Sequence, residues 1–384
     1  MSEPAELFDL TLTEEQRITR ETVRKFAETQ LRAISRAADE AGAAPEGFYQ
    51  KTMDLALGMI PLPENIGGAG MPRSPVSNML NAEDLGKGDM SLALGTVTPL
   101  AFINTVIDNG TPAQQEAFLS PFVSEEFVAA TIALMEPRAT FEPTDLQTTA
   151  QKDGDGYVLN GVKTMVLLGD IAQQILVIAN ENGVAGAYVV PANAEGLVIE
   201  KEKNMGLHAV NTSKVTLNNV KVPAINKLGT DSEPFKLQRF LDLSRIGVCA
   251  MALGCAEAML EYVTTYVNER VAFGEPISHR QSVAFMVANI AIELEAMRML
   301  VYRAAARAER GLDFTAKLTW LKYCAPRKAW KLATMAFSCW VDTVLFVSTW
   351  SSCGTAICAR WVFLKAQLVC NLVCLFISRL NERN

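Results

Sequence analysis

The hydrophobic pattern of this chain changes twice, near residue 123 and again near residue 230. Outside these two points, apolar residues recur at helical spacing over long segments. The part between them consists of short β-branched segments broken by Gly, Asn and Pro, such as FVAATIALMEP, QQILVIAN, GAYVVPA and SKVTLNNVKVPA. This change of period predicts a compact antiparallel β-sandwich or barrel between two helical regions. The predicted fold class is therefore α+β.

The length of 384 residues predicts more than one domain, because a single core stops growing at about 250–300 residues. The pattern predicts an N-terminal all-α domain (1–122), a middle β domain (123–229) and a C-terminal domain of four-helix-bundle type (230–336). The last part of that bundle is predicted to be abnormal, with an aberrant tail (337–384) in its place.

Local signals mark two helix ends. Thr13 stands before Glu14, Glu15 and Gln16, which is the pattern of a capping box. Gly311 follows the last long helical pattern and is predicted to be its C′ glycine. The predicted apolar face of the first helix consists of Ile18, Val23, Phe26 and Leu31.

Composition excludes several classes of protein. The net charge of −7 argues against a general nucleic-acid binder, which needs a basic surface. The N-terminus has no basic segment followed by an apolar block, so no secretory signal is predicted and a cytoplasmic location is expected. Eight cysteines without CxxC spacing and only two histidines predict no metal site. Buried free thiols are expected at Cys249, Cys255 and Cys324, which lie in apolar helical segments.

Four motifs follow one another along the chain: LTEEQRITRETVRKFAETQL, PENIGGAG, KNMGLHAVNTSKVTLNNVKVP and NERVAFGEPISHRQSVAF. In this order, over about residues 8–336, the chain resembles the acyl-CoA dehydrogenase family. The resemblance implies an FAD flavoenzyme that removes hydrogen from the α and β carbons of an acyl-CoA thioester. It also implies an electron-transfer flavoprotein or similar acceptor, a homodimer or homotetramer, and no membrane span.

The last motif is similar to the family's Arg-x-x-Phe-Gly-x-x-Ile-x-x-x-Gln block. The resemblance implies that Arg270 and Gln281 hold the phosphate region of FAD and that Phe273 packs nearby. A guanidinium suits this role because it binds a pyrophosphate through paired, charge-assisted hydrogen bonds. The alternative is purely structural, with an exposed Arg after a helix and a Phe in the core.

The resemblance implies further flavin contacts from the β domain, in LMEP (134–137) and MVLLG (165–169). The candidate cofactor-binding residues there are Leu134, Met135 and Leu167. The family's two flavin-facing threonines are replaced by Met135 and Leu167, so two side-chain hydroxyls are missing. Main-chain groups can still contact the ring, and FAD remains the predicted cofactor.

The segment LDLSRIG matches the family's substrate-contacting segment, which implies that Asp242 and Arg245 contact acyl-CoA. The structural alternatives are an N-cap for Asp242 and a solvated or ion-paired Arg245. The reaction needs a carboxylate with a raised pKa, because the α proton is only weakly acidic. Some family members carry this Glu at the position of Ser244, where a hydroxyl cannot replace it.

Most family members place the base in a Glu-Gly pair after a Gln-x-x-Gly-Gly-x-Gly turn. Neither motif occurs in this chain, so no catalytic residue is assigned. Residues 337–384 instead hold five of the eight cysteines, three of the five tryptophans and two of the 42 carboxylates.

A change of reading frame explains this tail. If the codons from Phe337 are TTC AGC TGC TGG GTG GAC ACG GT, the frame that starts one nucleotide earlier encodes Gln-Leu-Leu-Gly-Gly-His-Gly. The family's base then falls across the codons of Leu364 and Lys365. We interpret the tail as frame-shifted from about residue 337.

Two hypotheses for function follow. The first is an FAD-dependent acyl-CoA dehydrogenase by descent that lacks its base, and the second is a non-catalytic binding or scaffold protein on the same fold. Oxidase or hydroxylase chemistry is a third, less favoured possibility. A membrane anchor in LVCNLVCLFI is disfavoured, since its ten residues fall well short of the roughly 20 that span a bilayer.

Overall fold

The computed structural model of the chain describes residues 11–138, 141–203 and 206–314. These residues form two compact units. The first, called the helical unit, comprises the described residues within 1–32, 74–90 and 245–314. The second, called the mixed unit, comprises the described residues within 33–73 and 91–244. The predicted tail (337–384) and Cys324 lie outside the described residues.

Eight α-helices lie in the described part of the chain: α1 (Glu14–Phe26), α2 (Arg32–Ala41), α3 (Phe48–Thr52), α4 (Pro75–Gly88), α5 (Met90–Asn109), α6 (Pro112–Leu119), α7 (Leu237–Glu269) and α8 (Gln281–Glu309). The same ranges contain nine strands: β1 (Ala130–Ala133), β2 (Thr149–Asp153), β3 (Gly156–Leu167), β4 (Gln174–Glu181), β5 (Val184–Pro191), β6 (Leu197–Glu202), β7 (Thr212–Pro223), β8 (Val271–Ala272) and β9 (Glu275–Pro276). Helices, then a sheet, then helices follow one another, which confirms the α+β prediction.

Both predicted helix ends are confirmed. Gln16 N donates to Thr13 Oγ1 at 3.2 Å, and Thr13 N donates to Gln16 Oε1 at 3.1 Å, which completes the capping box. Gly311 adopts a φ of +68° just after α8. Leu312 N then donates back to Arg307 O at 2.9 Å, as in a glycine-ended helix.

The predicted apolar face of α1 is wrong at one position. Val23, Phe26 and Leu31 are buried, but Ile18 is 56% exposed. At 3.6 residues per turn, Ile18 lies about 140° around the helix from Val23, so the two cannot share a face. Leu31 reaches that face because the backbone widens into a π-helical turn over Ala27–Leu31.

The mixed unit contains a seven-stranded sheet in the order β1-β4-β2-β3-β7-β6, with β5 paired to β4. The long pairs β2–β3, β3–β7, β4–β5 and β6–β7 are antiparallel, as predicted. The prediction missed two parallel pairings of β4, one with β1 and a single-residue one with β2. The sheet's apolar core includes Leu159, Ile175, Tyr188 and Val215, each fully buried.

A second apolar core lies in the same unit. Phe102 of α5 and Leu119 of α6 pack there with Leu176 of β4 and Val189 of β5. The two faces of the β4–β5 pair therefore serve different cores, which explains why both strands read as continuous apolar runs instead of alternating.

Helices α4 and α7 touch backbone to backbone in the helical unit. A Cβ added to Gly254 would lie 1.8 Å from Glu83 O, and one added to Gly86 would lie 2.3 Å from Met251 O. No side chain fits at these two positions without moving a helix, since the neighbours are main-chain atoms.

We expect Gly254→Ala to lower the free energy of unfolding by about 3 kcal/mol, because overpacking displaces a helix. The matched control is Gly247→Ala on the same helix, where nothing lies within 4 Å of the added carbon. The control should be neutral or slightly stabilising, since Ala favours helix. Urea unfolding measures both, and equal effects of the two substitutions would contradict the close contact.

Two carboxylates of α4 are buried in the helical unit, Glu83 at 1% and Asp84 at 3% exposed. Arg298 Nε and Tyr302 Oη donate to Glu83 at 2.9 and 2.5 Å. Arg20 Nε donates to Asp84 at 2.7 Å. These bonds tie α1 and α8 to α4, because removal of one partner leaves a buried charge without compensation.

Two described helices, α5 and α7, are long and apolar enough to cross a membrane by length and composition alone. Their most apolar windows are 72% and 61% buried inside the structure. Core helices of compact proteins have the same properties.

Candidate functional site

Residues 270–281 form a tight hairpin between α7 and α8 in the helical unit. Val271 and Ala272 pair antiparallel with Pro276 and Glu275. Ile277 N donates to the carbonyl of residue 270 at 2.9 Å, which closes the hairpin. The residue spacing of the sequence motif therefore reflects a hairpin followed directly by the first residue of α8. The three predicted cofactor residues lie together on this short segment.

The side chains of Arg270, Phe273 and Gln281 are all exposed. Phe273 is 79% exposed, so the alternative that it is a core residue is wrong. Its φ is +58°, an unusual value for a bulky residue. The Arg280 guanidinium lies 4.9 Å from the Phe273 ring centroid, a cation–π contact.

The Arg270 guanidinium and the Gln281 amide make no hydrogen bond or ion pair with any residue that the structure describes. Gln281 is also the first residue of α8. A guanidinium and an amide that have no protein partner are available to donate to an anion such as a phosphate.

The LMEP segment follows β1 in the mixed unit, and the carbonyl groups of Leu134 and Met135 accept hydrogen bonds from β3. Lys163 Nζ donates to Leu134 O at 3.0 Å, and Thr164 N donates to Met135 O at 2.9 Å. Leu134 is buried and Met135 is half-buried. The side chains that Leu134 and Met135 can offer a ligand are apolar.

A buried ion pair that was not predicted from the sequence lies next to these residues. Lys163 is fully buried and Glu136 is 2% exposed, with Nζ and Oε1 3.0 Å apart. The Glu136 carboxylate also accepts from Gln147 N and Thr148 N, both at 2.9 Å. A Lys inside an otherwise apolar strand pattern was the available signal.

Several effects act on the pKa of Glu136. Burial by itself raises this pKa, but the Lys163 ammonium and the amides of Gln147 and Thr148 outweigh burial and hold the pKa below its ordinary value. Glu136 is therefore a charged, fixed group and not a base for proton abstraction at neutral pH.

Leu167 is the last residue of β3 and pairs with Thr212 of β7. Its side chain is half-buried. Together, Leu134, Met135 and Leu167 offer no side-chain hydrogen-bond donor, in agreement with the loss of the two threonines noted in the sequence.

Asp242 lies inside α7, which begins five residues earlier at Leu237, so the N-cap alternative is wrong. Its carboxylate is 1% exposed and accepts from Gln238 Nε2 at 2.9 Å. Arg245 follows on the same helix and is half-buried. The Ser244 hydroxyl donates to Phe240 O at 2.9 Å and has no basic partner in the described chain.

The thiols of the helical unit are structural. Burial raises the pKa of Cys249 to about 12, although the Arg245 charge acts in the opposite direction. Cys255 is buried and is not part of a disulfide. The expectation of a buried thiol is confirmed at Cys255, whereas Cys249 is half-buried.

Family models match the chain in three consecutive ranges. The N-terminal domain of acyl-CoA dehydrogenase matches residues 13–126, the middle domain 131–220 and the C-terminal domain 236–340. The chain belongs to the acyl-CoA dehydrogenase family, whose members are oxidoreductases and flavoproteins.

Individual relatives agree. A probable acyl-CoA dehydrogenase of Bacillus subtilis, YngJ, is 32% identical over 334 residues, which cover 85% of this chain and 87% of the relative. A short-chain-specific acyl-CoA dehydrogenase of Megasphaera elsdenii is 33% identical over 338 residues, with coverage of 85% and 88%. The solved structure of butyryl-CoA dehydrogenase from Megasphaera elsdenii has a TM-score of 0.82 at 30% identity, covering 96% of this chain and 98% of that one.

Replacement of Glu136 tests the buried pair. We expect Glu136→Gln to lower the free energy of unfolding at pH 7 by about 3 kcal/mol, because Lys163 loses its counter-charge. The ionised carboxylate favours the folded state above its ordinary pKa of 4.5, and this advantage is lost as the pH falls through the lower pKa of the folded state. The difference from wild type should therefore shrink in acid.

The matched control is Glu142→Gln, at an exposed carboxylate in the same loop. It should change the stability by less than about 0.5 kcal/mol at every pH. Chemical unfolding between pH 3 and pH 8 measures all three proteins. A constant difference between wild type and the Glu136 variant over this range would contradict the account.

Proposed function

We propose that this chain is an FAD-binding protein of acyl-CoA dehydrogenase descent whose α,β-dehydrogenation of acyl-CoA is impaired because its C-terminal catalytic Glu is absent. FAD binding is supported chiefly by the hairpin at 270–281. Its Arg270 and Gln281 side chains are exposed and have no partner in the described chain. Family membership over three domains supports the reaction class.

The residues present fit FAD at its phosphates better than at its ring. Arg270 and Gln281 supply donors for the pyrophosphate, and the exposed Phe273 supplies an apolar surface beside them. Leu134, Met135 and Leu167 would line the ring with apolar side chains only. FAD, when bound, supplies the acceptor for the β hydrogen, which leaves the substrate as hydride.

We assign substrate contacts to Asp242 and Arg245. The carboxylate of Asp242 is already oriented by Gln238, so its part is to position a ligand. It is not placed as the base, because its oxygen is held by an amide donor inside a helix. The hydroxyl of Ser244 is also committed to its helix, so the described residues of this segment provide no proton acceptor in the role of the family's Glu.

The proposed loss of dehydrogenase activity depends on the tail (337–384), where the catalytic Glu is missing from the sequence. The tail lies outside the described residues. The C-terminal family match ends at residue 340, close to the proposed change of frame at 337, and this supports the proposal. The domain boundaries at 122, 229 and 336 are also proposals, supported by the three matched ranges.

The proposal includes three further points that family membership supports. These are acyl-CoA as the ligand, an electron-transfer flavoprotein or similar acceptor, and a homodimer or homotetramer. A cytoplasmic location remains a prediction from sequence.

The nucleotide sequence of codons 325–384 tests whether the reading frame changes near codon 337. A gene with the frame restored tests whether this change abolishes dehydrogenation. The purified 384-residue chain should carry a visible flavin absorbance that butyryl-CoA does not bleach under anaerobic conditions. A gene with one nucleotide inserted in codon 337 should yield a protein whose flavin is bleached, because the Gly-Gly-His-Gly turn and the Glu are restored.

The matched control is the repaired protein with its restored Glu changed to Gln, which should bind flavin without bleaching. Bleaching by the unrepaired chain would contradict the impairment. A colourless protein from both genes would contradict the assignment of FAD and favour a non-catalytic protein on this fold.

A further inference from the structure

Strand β3 contains a bulge that includes the first residue of the MVLLG segment. Lys163 pairs with Val215 and Val166 with Ser213, so β3 has one more residue than β7 over this interval. Met165, inside the bulge, has a φ of +55°, which few non-glycine residues adopt. A bulge of this kind leaves backbone groups without a ladder partner and turns the following side chains.

The unpaired groups of the bulge bind one carboxylate, that of Glu202. Met165 N donates to Glu202 Oε2 at 2.7 Å, and the Thr164 hydroxyl donates to the other carboxylate oxygen. Glu202 ends β6, which is separated from β3 by β7. The side chain therefore reaches across a whole strand to bind the bulge.

The sheet register places a candidate site residue beside this carboxylate. Thr212 of β7 pairs with Leu167 on one side and with Glu202 on the other. Residues directly opposite each other in antiparallel strands point to the same face of the sheet. Leu167 and Glu202 thus belong to one cross-strand row on one face.

Thr164 connects the same carboxylate to the other β segment. Its N–H donates to Met135 O at 2.9 Å, while its hydroxyl binds Glu202. Thr164 is 8% exposed, so these bonds are shielded from water. One carboxylate therefore holds the bulge directly and the LMEP segment through a single intermediate residue.

We propose that Glu202 is a positioning residue for the cofactor site, which sets the orientation of the Met165–Leu167 backbone and, through Thr164, that of Met135. This rests on the proposed function, since it assumes that these two segments face a flavin. Charge-assisted bonds from a carboxylate to backbone N–H groups are strong and directional, which suits a bulge that must keep one geometry.

The test compares Glu202→Gln with Glu200→Gln in the full-length chain. Glu200 lies on the same strand, is exposed, and has only a 3.6 Å ion pair with Lys214. Glu202→Gln replaces one acceptor oxygen by an NH2 group that cannot accept from the bulge, so we expect the FAD dissociation constant to rise about tenfold. Glu200→Gln should stay within about twofold of wild type.

A second readout separates positioning from stability alone. At saturating FAD, the flavin bound to Glu202→Gln should have a visible absorption spectrum and a reduction potential that differ from wild type. A residue that only stabilises the fold would lower the melting temperature while leaving the dissociation constant, the spectrum and the potential unchanged, and that result would overturn the proposal.

If the Glu202 variant does not fold, substitutions at Thr164 test the same hydrogen bond from its other side. Thr164→Val removes the hydroxyl at nearly constant volume, and we expect weaker flavin binding and a changed spectrum. Thr164→Ser keeps the hydroxyl and should resemble wild type. Identical flavin properties for Val and Ser would overturn the role of this bond.

The two proposals fail in different ways. A wild-type chain that holds no flavin would overturn the proposed function and, with it, this inference. Normal flavin binding by wild type together with unchanged binding and spectrum in Glu202→Gln would overturn only the role of Glu202.

Discussion

The buried ammonium of Lys163 ties the segment after β1 to strand β3 in the mixed unit. Removal of such a charge from water costs several kcal/mol unless a counter-charge and hydrogen bonds are supplied. Glu136 and Leu134 O supply them, so the segment after β1 has one position relative to β3. Glu136 also accepts from Gln147 N and Thr148 N and so fixes the start of β2. The candidate site of this unit is built on that arrangement.

The helical unit uses a related device. Glu83 contributes the carbonyl that leaves no room for a Cβ at Gly254, and its carboxylate binds Arg298 and Tyr302. Close backbone contact and a satisfied buried charge therefore meet at one residue of α4. The hairpin at 270–281 joins α7 and α8, both of which are held by this contact region.

Local chemistry made part of the fold predictable from sequence. The capping box at Thr13 and the terminal glycine Gly311 depend on residues within one helical turn, and both predictions were correct. Ile18 was misplaced because it lies about 140° around α1 from Val23, so the two residues cannot share a face. The N-cap alternative for Asp242 failed because α7 already begins at Leu237, directly after Lys236, which is not a typical N-cap residue.

The candidate site was predictable where a motif is a compact local structure, and not where it depends on tertiary contacts. Arg270, Phe273 and Gln281 share one hairpin, so their spacing alone brought them together. The roles of Glu136 and Glu202 were not predicted, because both depend on contacts between residues far apart in sequence. Glu136 binds Lys163, 27 residues away, and Glu202 binds Met165, 37 residues away. Period-2 patterning predicts a strand, but it does not show a bulge.

We propose that the cofactor is held chiefly at its phosphates, because the β segments offer no side-chain hydroxyl at Met135 and Leu167, while the Arg270 guanidinium has no partner in the described chain. The most direct test is the FAD dissociation constant of the full-length chain with Arg270→Ala, compared with Arg303→Ala, an exposed arginine on the neighbouring helix. We expect at least about tenfold weaker binding for Arg270→Ala and a change within about twofold for Arg303→Ala. Equal affinities of the two variants and wild type would contradict it.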